Sequence, residues 1–268
     1  MNRVRILNTS LHSISKQQLL DRLKDGGSVF TLNVDHLMKL QKDFEFYSAY
    51  SAATYRVCDS QIIKTLTDCF FPNTIQEKIS GSDLLPAYIE HYKHDPEVKL
   101  FLLGAAEGVA DAVRTRVNAE VGREMIVDVY SPPFGFHTDP TECEYINERI
   151  KQSGATTLAV GLGAPKQEIW IAQNQQKLPG VKVFLAVGAA LDFEAGNLSR
   201  CPAWMSNGGL EWLHRLVSEP RRLWRRYLLE SLPLLWLLPM QFVKLYRPPE
   251  FPEPALALKF QQVENETV

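Results

Sequence analysis

The sequence predicts an α/β protein: a Rossmann-like, mostly parallel sheet with helices on both faces, plus a C-terminal helical membrane-associating appendage. Three observations lead there. Short apolar runs alternate with longer amphipathic ones, as strands do with the crossover helices that cover them. Several apolar runs stop at a glycine or a small polar residue with a helix start just beyond, which gathers polar groups at the carboxyl edge of an open sheet, where ligands bind. After Gly196 the alternation gives way to helical stretches rich in Leu, Trp and Arg.

The elements follow in order. Val29 to Val34 reads as a buried strand running into Asp35 and a helix through Leu37, Leu40 and Phe44. Thr54 to Cys58 is a short extended run that stops at Asp59-Ser60, a helix start with an acid at its N-terminus. Gly81-Ser82-Asp83 opens another helix, and Val98 to Leu103 is a strand ending at Gly104. Met125 to Tyr130 is the next strand, with the loop Ser131 to His137 behind it, and Thr141 to Ser153 has helical periodicity. Thr157 to Gly163, a helix opening with Pro165-Lys166-Gln167-Glu168, and Val181 to Gly188 make a final βαβ unit. Residues 208 to 246 read as helical, with Ser218 as an N-cap and Pro220 in the following first turn. The reading divides the chain into 1–196, an α/β catalytic domain; 197–247, the cationic and apolar appendage; and 248–268, a loose Pro- and Glu-rich tail.

Composition narrows the function. The chain has 268 residues and a net charge of −2, which gives no global reason to expect nucleic acid. Between Arg200 and Arg247, eight Arg and Lys stand against three acids, a local charge of +5. Ser231 to Val243 is uncharged, but it is shorter than the ~20 residues a spanning helix needs. A cationic, apolar segment of this kind suits the surface of an anionic bilayer. Cysteines 58, 69, 143 and 201 are scattered, which suggests a reducing cytoplasm, and no signal peptide is visible at the start. The histidines show no metal spacing, and neither a P-loop, a GxSxG elbow nor Asp-x-Asp is present.

The residues that could carry chemistry cluster at the predicted strand ends. Asp59 is either a general base for an acceptor hydroxyl or a helix N-cap. Thr31 and Asn33 alternate on one strand, so both point to one face, as sugar-binding groups or as satisfied core residues. Gly163 and Gly188 would let a ligand approach the backbone. Gln167 could bond a ribose or base edge, and Asp192 a ribose or nucleobase. Glu168 suits the helix dipole as a surface acid. Phe136 lies in an aromatic loop that could stack on a base or simply pack against the core. Arg222 and Arg226 share a helix face, with Arg215 on the preceding helix; they could clamp a pyrophosphate or face lipid headgroups.

Taken together, several motifs resemble the WecG/TagA/CpsF family of bacterial glycosyltransferases. They are Thr31-Leu32-Asn33, Tyr55-Arg56-Val57-Cys58-Asp59, Gly161-x-Gly163-x-Pro165-Lys166-Gln167-Glu168, Gly188 to Gly196 with Asp192, Arg200-x-Pro202-x-Trp204, Glu211-Trp212-x-x-Arg215 and Pro220-x-Arg222-x-x-x-Arg226-Tyr227. The resemblance implies inverting, metal-independent transfer of a sugar from a UDP-sugar to a polyprenyl-pyrophosphate-linked saccharide, without a cofactor, at the inner face of the plasma membrane. It implies Asp59 as base, Thr31 and Asn33 at the reaction centre, Gln167, Asp192 and Phe136 in the nucleotide pocket, and Arg215, Arg222 and Arg226 as appendage arginines serving the active site. Two positions depart from the family pattern: Asp59-Ser60 replaces Asp-Gly, and Arg200-Cys201-Pro202 replaces Arg-Ala-Pro. A side chain at Ser60 is expected to narrow the acceptor side or alter the turn. A non-catalytic scaffold of a polysaccharide assembly complex and an NAD(P)-dependent oxidoreductase are the rival readings; the absent GxGxxG speaks against the second. The apolar tail leaves homo-oligomerisation open.

Overall fold

A computed structural model describes residues 2–70, 74–197, 201, 205, 210–218, 220–225 and 229–251; of Glu211, Arg215, Arg222 and Leu223 it describes the backbone alone. The strands β1 (Arg3–Ile6) and β2 (Thr9–His12) open the chain as an antiparallel hairpin. The other six are β3 (Gly27–Leu32), β4 (Tyr55–Cys58), β5 (Leu100–Gly104), β6 (Ile126–Tyr130), β7 (Thr157–Gly161) and β8 (Val183–Ala186). They form a single sheet in the order β4-β3-β8-β7-β5-β6, parallel throughout, as the alternating pattern predicts.

Both faces of the sheet are buried, which explains why its strands read as continuous apolar runs. Phe30, Leu32, Phe101, Leu103, Leu158, Val160 and Phe184 pack into a core with Phe46 and Tyr50 of α3 (Phe44–Ala52), Ile146 and Ile150 of α7 (Pro140–Ser153), and Trp170 and Ile171 of α8 (Lys166–Asn174). The alternate residues Val29, Val57, Leu100, Leu102, Ala159, Val183 and Leu185 build a second core. It includes Leu19 of α1 (Lys16–Arg22), Leu84 and Tyr88 of α5 (Gly81–Tyr92) and Val113 of α6 (Val109–Val121).

The sheet order sets where a crevice opens. From β5 the chain moves outward to β6, whereas from β7 it moves the other way to β8. Neighbouring β5 and β7 therefore send their connections apart, which leaves room at their carboxyl ends.

Two local expectations change. The single helix expected from Asp35 through Phe44 is two: α2 (Val34–Lys39) and α3, because Asp43 accepts from the Phe46 amide and starts a new N-terminus. Ser218 is the last residue of the helix Glu211–Ser218, its hydroxyl donating to the His214 carbonyl, so it does not cap the following helix Pro220–Arg225.

The last described residues are tied to the start of the chain. In the helix Leu234–Phe242, Leu234 and Leu238 are buried in the first core. The Gln241 amide accepts from the Leu7 backbone at 2.6 Å and donates to the Arg5 carbonyl at 2.9 Å. Tyr246 donates to Gln41, and the Phe251 ring lies against Phe44 and Tyr47. Phe251 of the predicted loose tail is thus packed, while Pro248 and Glu250 are exposed; 252–268 lie outside the described residues. Leu229, Leu232, Leu235, Trp236, Val243 and Leu245 remain exposed. Among the described residues no helix is long and apolar enough to cross a membrane.

Candidate active site

The parallel sheet brings its carboxyl ends to one edge, in the lateral order Asp59, Asn33, Gly188, Gly163, Gly104 and Ser131. At the first end, the Asp59 backbone donates to the Leu32 carbonyl at 2.8 Å, which extends the β3–β4 pairing by one residue. The half-buried Asp59 side chain follows directly. Ser60 supplies the cap of α4 (Gln61–Phe70): its Oγ accepts from the Ile63 amide at 3.2 Å. The capping duty considered for Asp59 therefore has another holder. Ser60 also causes no backbone strain, since positive φ among described non-glycine residues occurs at Leu7, Ala105 and Lys244. Lys78 lies near this end, close enough for its charge to act on Cys58 together with that of Asp59. Burial pushes the Cys58 thiol up to about 12, so it stays a neutral packing group.

Thr31 lies inside β3, and Asn33 follows its end with a backbone that is still extended (φ −117°, ψ −179°). The strand ends at Leu32, and Asn33 turns back to cap α2, its Oδ1 accepting from the His36 amide at 3.0 Å. This leaves the Nδ2 of Asn33 as the donor it can offer a ligand. Thr31 is buried in β3 beside Val57 of β4.

At the middle ends, Gly163 and Gly188 hold φ of 75° and 57°, left-handed values that favour glycine. A Cβ at either would meet nothing within 4 Å, so the backbone there is approachable from outside. Asp192 is half-buried in the first turn of α9 (Ala190–Glu194), the helix that follows the Gly188 turn.

Gln167 is buried at 3% exposure and bonded to protein at both ends of its amide. Its Oε1 accepts from the Gly188 amide at 3.0 Å, and its Nε2 donates to Glu168 Oε1 at 2.8 Å. The side chain therefore ties the end of β8 to the start of α8 and does not lie open to a ribose or base. Glu168, expected at the surface, has no exposure at all, because it faces α2 and α3. Burial pushes its carboxyl up to about 7; Gln167 and the Lys39 charge oppose this, and the Asp35 charge adds to it. Tyr50, whose hydroxyl lies 2.7 Å from His36 Nδ1, belongs to the same buried polar group, and burial first, then the Glu168 and Asp59 charges, push its phenol well above its ordinary range.

The aromatic loop also differs. Phe136 is buried in the first core at 6% exposure and is not open for stacking. Phe134, two residues earlier, is 99% exposed, and Lys166 Nζ sits 4.9 Å from its ring centroid. Nothing in the order Phe134-Gly135-Phe136 tells which ring faces out; a left-handed Gly135 (φ 85°) reverses the loop and turns Phe136 inward. The side chains of Arg215 and Arg222, and the whole of Arg226, lie outside the described residues. Among the described residues, no group of three or more His, Cys, Asp or Glu is placed to hold a metal ion.

A parallel sheet with an approachable, glycine-lined carboxyl edge and a carboxylate beside it is the frame of an α/β enzyme whose ligand sits at that edge. Comparison with known families gives the particular kind. Residues 4–248 match the glycosyl transferase WecG/TagA/CpsF family, and the chain belongs to that family. It is a glycosyltransferase of cell-surface polysaccharide synthesis.

Proposed function

We propose that the enzyme moves a sugar from a UDP-sugar to a polyprenyl-pyrophosphate-linked saccharide, with inversion, without a metal, and at the cytoplasmic face of the membrane. The observation that carries this reading is the placement of Asp59. It stands half-buried at the carboxyl edge, next to Asn33, while Ser60 caps the helix behind it. A carboxylate so placed can accept the proton of an acceptor hydroxyl as that oxygen attacks the anomeric carbon from the face opposite the leaving UDP. The Asn33 Nδ2 lines the sugar, with Thr31 buried in the strand beneath it. Gly163 and Gly188 admit the diphosphate to the backbone, Lys166 offsets its charge, and the exposed Phe134 ring offers a face to the base. Asp192 bonds the ribose. Arg215, Arg222 and Arg226 serve the pyrophosphate of the acceptor.

The exposed Leu232, Leu235, Trp236, Val243 and Leu245, with the cations of 200–247, lay the appendage on an anionic bilayer. The Gln241 and Tyr246 bonds fix that surface relative to the sheet edge, so the site meets its lipid acceptor in one orientation.

The test joins calorimetry with turnover. UDP should bind without added metal and NADH should not. A donor screen against lipid-linked acceptors then identifies the sugar. Asp59→Asn should lower turnover ~10²–10⁴-fold while leaving UDP binding in place. Near wild-type turnover in that variant would remove Asp59 as the base, and NADH binding with no UDP signal would overturn the transferase reading of the crevice.

A further inference from the structure

We infer that Glu168 is a positioning residue of the nucleotide side of the crevice: its carboxyl holds the Gln167 amide by accepting from Nε2, and Gln167 in turn holds the Gly188 turn. The inference rests on the reading that this edge receives the nucleotide, and it concerns a residue to which that reading gives no role.

The two ends of the Gln167 amide are not interchangeable. Gln167 Oε1 must face the Gly188 N–H, because only the oxygen can accept. Its Nε2 then points at Glu168 Oε1, 2.8 Å away. The reverse orientation would set NH₂ against the Gly188 N–H, donor to donor, and oxygen against oxygen when the carboxyl offers no proton there. Gly188 thus fixes which way the amide faces, and Glu168 holds it there by satisfying Nε2. Without an acceptor at Glu168, a buried Nε2 loses its partner and nothing distinguishes the two orientations except Gly188 itself.

A role in packing alone does not explain an acid here. Glu168 is wholly buried, and its Oε2 has no hydrogen-bond partner among the described residues. An oxygen in that condition is costly, and an apolar residue would fill the space at lower cost. What the acid adds is the acceptor for Gln167. The consequence reaches the site through the Gly188 turn, whose backbone is open to a ligand and from which α9 and Asp192 follow.

The test compares Glu168→Gln, which keeps an acceptor oxygen for Gln167, with Glu168→Met, which removes it while keeping an apolar side chain of similar length. Hydrogen–deuterium exchange at the Gly188 amide reads the turn directly, and calorimetry with UDP reads the site. Glu168→Met should remain folded, exchange Gly188 about tenfold faster and bind UDP about tenfold more weakly, the scale of one lost buried hydrogen bond. Glu168→Gln should stay close to wild type in both. Unchanged exchange and UDP affinity in Glu168→Met would overturn the inference, as would equal losses in the two variants. Should wild type itself fail to bind UDP, the nucleotide reading falls, and the exchange comparison still decides whether Glu168 holds the turn.

Discussion

The buried Glu168 carboxyl makes the stability of the folded protein depend on pH. An unfolded chain ionises Glu168 near its ordinary 4.5, whereas in the folded protein burial delays this to about 7. Between those values the unfolded state has released a proton that the folded state still holds, so stability falls as pH rises. The contribution is fully present below pH 4.5, is lost progressively up to pH 7, and stays lost above it. At ~1.4 kcal/mol per pH unit the loss is roughly 3 kcal/mol. No discount for solvent screening applies, because the side chain has no exposure. Glu168→Gln cannot ionise, so the variant should lack this component. Urea unfolding of both proteins from pH 4.5 to 8 at constant ionic strength gives the difference curve. Wild type should lose roughly 3 kcal/mol against the variant over that range, most of it below pH 7. Parallel curves would refute the reasoning and mean that water or a basic group reaches the carboxyl.

The other predictions concern the cap and the appendage. Ser60→Ala should cost about 1 kcal/mol in urea unfolding through the lost cap, and Ser60→Gly only a few tenths, with UDP affinity unchanged in both. Gln241→Ala leaves the Leu7 amide and the Arg5 carbonyl without their partner. It should cost about 1–3 kcal/mol and speed proteolysis of the first twelve residues. The double variant Leu235→Ser/Trp236→Ser touches two exposed side chains, so its melting temperature should hold while sedimentation with anionic vesicles falls. Unchanged sedimentation would move the membrane contact elsewhere. This variant tests docking better than truncation before Ser218, which would also uncover the sites of Leu234, Leu238 and Gln241.

Much of the architecture was legible in the chain because parallel strands covered on both faces leave an unambiguous trace: apolar runs, then glycine, then a helix start. The carboxyl-edge positions Asp59, Gly163 and Gly188 follow from that trace alone. The sequence also carried the family motifs and the local charge of the appendage. It did not carry the outcomes that depend on which neighbour arrives from a distance. Ser60 took the cap beside Asp59, and Asn33 became a cap because its strand stopped one residue short. Glu168, five residues past Gly163 in an ordinary helix first turn, has the local signature of a surface acid. Only the packing of α2 and α3 over α8 buried it, removed its water and raised its proton affinity. Phe134 and Phe136 are alike in type and separated by a single glycine, and the backbone angle of that glycine chose which ring the core received. Local periodicity fixes which way a chain segment faces, but burial is a property of the whole surface that closes over it, and that surface exists only in the folded protein.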